Sequence, residues 1–201
     1  MKKLIALIGA IALICSMAFP ALANGSIDDL KPEILDAEIL LEDIDETLKS
    51  KITLVAESTA TPDASWISEA KKLLEDFNDP DITVSVADMV EDLQKLPVNA
   101  GNPQDLTALA DADFASPFAK VSLDIDGKTA YSLNGKDVPV QQTLVYEQLK
   151  DRNPADFQIL LINPETGKMV FIELDASTFN PATGEITVDF PFLGFYALVE
   201  K

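Results

Sequence analysis

The chain predicts an α+β fold: an N-terminal helical segment followed by a C-terminal antiparallel seven-stranded β-sandwich. Apolar residues recur every three or four positions before residue 115 and every second position after it. Turns built on Pro, Asn, Asp and Gly punctuate the second part. The expected organisation is a signal peptide over residues 1–23, a mainly helical subdomain over 24–114 and an all-β sandwich module over 115–201.

Lys2 and Lys3 form a basic start, an apolar run follows, and Ala21-Leu22-Ala23 supplies the small residues that signal peptidase reads. Cleavage after Ala23 makes Asn24 the mature N-terminus. The apolar stretch over residues 4–19 is shorter than the ~20 residues that span a bilayer, which favours a cleaved signal over a retained anchor helix. The single cysteine, Cys15, lies inside this run. Large Ile14 precedes it where a lipid-attachment signal needs a small residue, so Cys15 reads as a small hydrophobe that leaves with the peptide.

From Leu30 the apolar positions Ile34, Ala37, Leu41, Ile44 and Leu48 follow a helical spacing, and Pro32 fits a first turn. The run Ile52-Thr53-Leu54-Val55 reads as extended. The competing reading is a β-hairpin of residues 37–44 and 49–57 around Asp45-Glu46-Thr47. Thr61-Pro62-Asp63 opens a helix over 61–77, which makes Trp66 a core residue with Ala70, Leu73 and Phe77. Ser85 and Asp88 have capping-box spacing ahead of a stripe of Val86, Val90 and Leu93 that Pro97 ends. Asn102-Pro103-Gln104-Asp105 opens a last short helix through Ala110.

Beyond Ala115, Val121, Leu123 and Ile125 alternate with polar residues, and Asp126-Gly127 turns the chain into 130–133. Asn134-Gly135 is a hairpin signal leading into a strand over 138–146. Strands over 157–162 and 168–174 flank Asn163-Pro164-Glu165-Thr166-Gly167. The same turn pattern returns at Asn180-Pro181-Ala182-Thr183-Gly184, between strands, and its recurrence reads as a β-meander. Strands over 185–190 and 195–200 complete a two-sheet sandwich.

Charge limits the partners. The chain has a formal net charge of −19. Removing Lys2 and Lys3 from the 15 basic residues leaves 13 against 34 acids, a net charge of −21 for the mature chain. Such a field repels nucleic-acid phosphates and anionic headgroups, so neither nucleic acid nor a membrane is an expected partner of the mature form; metal cations and basic proteins remain. An unknown protein partner is the expectation, and the oligomeric state is not set by the sequence.

Chemistry is limited too. There is no histidine, and no cysteine outside the signal, so Ser-His-Asp, Cys-His and imidazole zinc sites are closed. No SxxK sequence occurs, and Ser50-Lys51 reads as an exposed turn. Paired carboxylates could serve a glycosidase, but one Trp and three Tyr offer few sugar platforms. Asp124-Ile125-Asp126-Gly127 has part of a calcium loop, yet Leu133 stands where the bidentate Glu belongs. A tight hairpin turn explains Asp126-Gly127. No catalytic, cofactor-binding or metal-ligating residue is assigned, and no cofactor is expected.

The residues Phe157-Gln158-Ile159-Leu160-Leu161-Ile162, Asn163-Pro164-Glu165-Thr166-Gly167-Lys168, Gly184-Glu185-Ile186-Thr187-Val188 and Phe195-Tyr196-Ala197-Leu198-Val199 resemble the small C-terminal β-sandwich modules of exported surface proteins of gut Firmicutes. The resemblance covers about the last 45 residues and implies an extracytoplasmic, non-enzymatic module, with no site residue carried over. No sorting signal or second apolar segment follows the β part, so release or attachment through another protein is expected. The leading expectation is a secreted or surface-associated acidic structural or interaction protein. The alternative is an extracytoplasmic enzyme using carboxylates or a bound metal in a cleft between the two parts.

Overall fold

The computed structural model describes residues 30–40 and 50–201. Among these residues the architecture is mostly antiparallel β-sheet, arranged as two sheets with eleven strands, plus two α-helices. The signal peptide, Cys15, the Ala23 cleavage site and the Asp45-Glu46-Thr47 turn lie outside the described residues.

Strands β1 (Glu33–Ile39), β6 (Val140–Val145), β10 (Glu185–Phe190) and β9 (Phe179–Asn180) form a four-stranded sheet in the order β1-β6-β10-β9, here called sheet A. The seven-stranded sheet B runs β2 (Ile52–Glu57), β4 (Ala119–Ile125), β11 (Gly194–Glu200), β7 (Phe157–Ile162) and β8 (Met169–Glu173). Short strands β3 (Asp113–Phe114) and β5 (Lys128–Ala130) pair with β11 and β4. The helices are α1 (Ser68–Asn78) and α2 (Val86–Gln94).

Burial along the strands shows how the layers stack. Val140, Gln142 and Leu144 in β6 and Ile186, Val188 and Phe190 in β10 are buried, while the residues between them are not. Sheet A therefore packs through one face only. In contrast, all six residues of β7 and the first six of β11 are buried. One face of sheet B meets sheet A, where Phe190 packs against Tyr196 at 4.7 Å between ring centroids. The helical layer covers the other face: Trp66 stacks on Phe195, and Phe77 of α1 meets Phe114 and Phe118 edge-on.

Several expectations hold. Val121 and Leu123 are buried as the odd-numbered side of β4, Ile125 is partly buried, and Trp66 is 3% exposed. The Ser85 side chain accepts from the Asp88 N–H at 3.1 Å at the start of α2. The two repeated turns close alike, with Gly167 N–H donating to Asn163 O at 2.8 Å and Gly184 N–H to Asn180 O at 2.9 Å. Both glycines have a positive φ, 74° and 73°, and a Cβ on Gly184 would collide with the Tyr146 carbonyl, so glycine is required there.

Other expectations are corrected. Residues 33–39 form a strand, not a helix. Ile34 and Ala37 stand opposite Leu144 and Gln142, with a register shift between Ile34 and Asp36. That extra residue turns the two-residue period of inward positions into a spacing of three, which mimics a helix. Among the described residues the alternative hairpin is not formed either: β1 pairs with β6 and β2 with β4, in different sheets. The described part of the 24–114 segment thus supplies two full strands as well as the helices. The seven-strand sandwich is exceeded, because β1, β2 and the short β3 belong to the same two sheets and the short β9 is added within the C-terminal part.

The helix expected over 61–77 begins at Ser68, because the Asp63 carboxylate first closes a turn by accepting from the Ser65 N–H at 2.9 Å and Ser65 Oγ at 2.5 Å. No helix forms over 102–110, which is a series of turns. There Asp105 Oδ1 accepts from the Thr107 and Ala108 N–H groups, and Gln94 Oε1 accepts from Gln104 N–H. Asn134-Gly135 makes its tight turn, with Leu133 and Lys136 exchanging two 3.0 Å backbone bonds. The chain then leaves for the other sheet, so β5 and β6 do not pair.

Candidate functional site

Two places bring chemistry-bearing side chains together, one inside the fold and one on its surface. The interior group forms where the turn before α1 meets the 163–167 turn of sheet B. Tyr131 is fully buried; its hydroxyl accepts from Trp66 Nε1 at 2.9 Å and donates to Asp63 Oδ2 at 3.0 Å. Burial pushes its phenol well above the ordinary range, reinforced by the negative charges of Asp63 and Glu57, so it remains a neutral donor. Ile67 N–H donates to Pro164 O at 2.9 Å, and Asn163 Oδ1 accepts from Glu165 N–H at 3.0 Å, which places Glu165 beside Tyr131. Burial, then Asp63, raises the Glu165 carboxyl, while hydrogen bonding to the Tyr131 backbone and the Ser132 side chain opposes the rise.

Nearby on the same face of sheet B, Lys120 and Glu57 are directly opposed in the ladder and form an ion pair at 2.6 Å. The Lys120 side chain is only 8% exposed, so losing either partner would strand a largely buried charge. Asp63 and Glu165 are thus brought together, away from the cavity that lies beside β10.

A cavity of about 200 Å³ lies beside the part of β10 beyond its pairing with β9, lined by Gln141, Glu173, Asp175, Thr178, Thr187 and Asp189 among others. It is smaller than the roughly 300–1,000 Å³ usual for small-molecule sites. Its acids already have partners within the protein. Glu173 pairs with Lys201 Nζ at 2.5 Å, Asp175 accepts from Ser177 N–H at 2.8 Å, and Asp189 accepts from Gln141 Nε2 at 2.7 Å.

The surface group is the outer face of sheet A. The register aligns three rows across β1, β6 and β10: Glu33, Val145, Glu185; then Asp36, Thr143, Thr187; then Glu38, Gln141, Asp189. The Thr143 and Thr187 hydroxyls meet at 3.1 Å, and Gln141 bonds Asp189, so these rows share one side of the sheet. Five of the nine positions are acidic and none is basic.

The residues weighed from sequence lie elsewhere. Asp124 Oδ1 accepts from the Gly127 N–H at 2.8 Å, Asp126 faces Lys51 at 3.8 Å, and among the described residues no three His, Cys, Asp or Glu side chains gather as a metal site. Sequence reasoning missed the Asp63–Tyr131 bond, which spans 68 positions without a local signal. It also missed the acidic rows, because Glu33, Asp36 and Glu38 were read on a helix.

Fold and site together define an antiparallel two-sheet β protein with a helical layer on one sheet and an open acidic face on the other. No family model, curated protein or solved structure matches the chain. No helix among the described residues is long and apolar enough to cross a membrane.

Proposed function

We propose that the protein is a secreted or surface-associated acidic interaction protein, exported by the signal over residues 1–23 and acting by binding a protein partner, not by catalysis. The observation that carries this reading is the contrast between the two sheets. The central strands of sheet B are covered on both faces, whereas the outward positions of β1, β6 and β10 in sheet A carry five acids and no base. A broad charged face suits docking between macromolecules, and the cavity that Gln141, Thr187 and Asp189 of this face help to line is smaller than small-molecule chemistry usually needs. The resemblance of the last 45 residues to modules of exported surface proteins supports the same location.

The enzyme alternative rests on one feature, the two carboxylates Asp63 and Glu165 beside buried Tyr131, with Glu165 raised. The test uses immobilised chain starting at Asn24, incubated with culture supernatant and envelope extract of the producing cells. A defined partner should be retained saturably, released by salt and still captured by the Asp63→Asn/Glu165→Gln variant. Failure to retain any partner, or loss of retention in that variant, would count against the binding reading. Mass spectrometry of the exported protein should find Asn24 at its N-terminus.

A further inference from the structure

Resting on that reading, we infer that the outer face of sheet A is the docking surface and that its occupant is an extended, lysine- or arginine-rich segment of a partner protein lying along β6. Three features define this occupant. First, the face is laid out in columns. Glu33, Asp36 and Glu38 stand on β1, Glu185 and Asp189 on β10, and the uncharged strip Val145, Thr143, Gln141 runs between them on β6. With strands about 4.8 Å apart, the acidic columns are roughly 10 Å from each other. A backbone lying over the central strip can send long basic side chains to either side.

Second, the spacing along the face matches an extended chain. Outward positions on β6 and β10 are two residues apart, about 6.8 Å, which is also the distance between alternate side chains of an extended segment. A helix would present neighbours at other intervals and could follow only one column.

Third, among the described residues these acids form no ion pair. The described ion pairs of Lys51, Lys72, Lys95, Lys120, Lys150, Arg152, Lys168 and Lys201 all go to acids outside the nine. Asp189 bonds the neutral Gln141, and Asp36 bonds the N–H of Ala37. Their negative charge therefore remains for an incoming cation, and a like-charged or neutral segment gains nothing from this layout.

The experiment uses the full mature chain and a fluorescein-labelled ten-residue peptide of alternating Lys and Thr, followed by fluorescence anisotropy at physiological salt. Three proteins are compared: the native sequence, Glu38→Lys/Asp189→Lys on the face, and Glu75→Lys/Asp111→Lys at exposed positions outside it, which makes the same change in net charge. Saturable binding weakened at least tenfold by the face pair and less than threefold by the other pair is the expected result. Equal weakening by both pairs would mean attraction to net charge alone and would overturn the inference, as would the absence of saturable binding. Circular dichroism checks that each variant is folded; should the face pair unfold, Thr143→Arg replaces it, with the same loss expected. Repeating the envelope capture with the same proteins separates the two readings. A partner captured equally well by the face variant removes the docking site proposed here and leaves the binding function standing.

Discussion

Trp66 lies flat on Phe195, with ring centroids 4.7 Å apart and planes 16° apart. The contact fastens the turn before α1 to the central strand of sheet B. Tyr131 completes the join by accepting from Trp66 Nε1 and donating its own O–H to Asp63 Oδ2. Replacing Tyr131 with Phe keeps the ring and removes the hydroxyl, leaving a buried indole N–H without its acceptor. A loss of about 1–3 kcal/mol is expected. Because Trp66 is the single tryptophan of the chain, its emission in a urea titration reports the shift in midpoint directly.

Gln142 makes the opposite prediction. It sits fully buried on the inner face of β6, and neither its Nε2 nor its Oε1 finds a hydrogen-bond partner in the protein. Desolvating an amide without replacing its bonds opposes folding. Gln142→Met preserves length and removes both polar atoms, so stability should rise by about 1 kcal/mol. A lower urea midpoint for this variant would show that the amide has a role the burial pattern hides.

Part of the fold was legible because its signals are local. The paired turns at 163–167 and 180–184, the Ser85 cap and the alternation in β4 each depend on a few consecutive residues. The β1 strand was not legible, since the bulge at Leu35 set Ile34 and Ala37 three apart and the pairing that fixes them is with residues more than 100 positions away. Asn134-Gly135 shows another limit. Its turn formed as its residue types require, but which sheet the next strand joins is a tertiary matter. The outward direction of Glu33, Asp36 and Glu38 could be read either way, as helix or strand. Their alignment with Glu185 and Asp189 appears only once β6 lies between them.

Calcium offers a third test. At the Asp126-Gly127 turn, Asp124 already accepts from the Gly127 amide, and Lys51 approaches Asp126. Two carboxylates so engaged fall short of the six to eight oxygens calcium takes. Stability should rise with added salt, since a formal net charge of −19 repels itself less when screened. The melting temperature in calcium should then equal that in sodium at matched ionic strength. A rise of several degrees specific to calcium and abolished by Asp124→Ala would establish a site at this turn.

Glu165 gives the chain a defined pH dependence. Its carboxyl is raised first by burial and then by the charge of Asp63, with the Tyr131 backbone and Ser132 opposing. A raised value means that the folded protein holds this proton more tightly than the unfolded chain does. Its stabilising contribution is therefore complete below the unfolded value, near pH ~4.3, and is lost as pH rises through the folded value. At neutral pH the carboxylate opposes folding. Glu165→Gln removes the titration, so the variant should be the more stable protein at pH 7, and the advantage should shrink towards nothing as pH falls to about 4. Urea midpoints of both proteins across that interval decide the matter: a constant difference would mean that Gln acts through packing, and a growing advantage at low pH would reverse the sign assigned to Glu165.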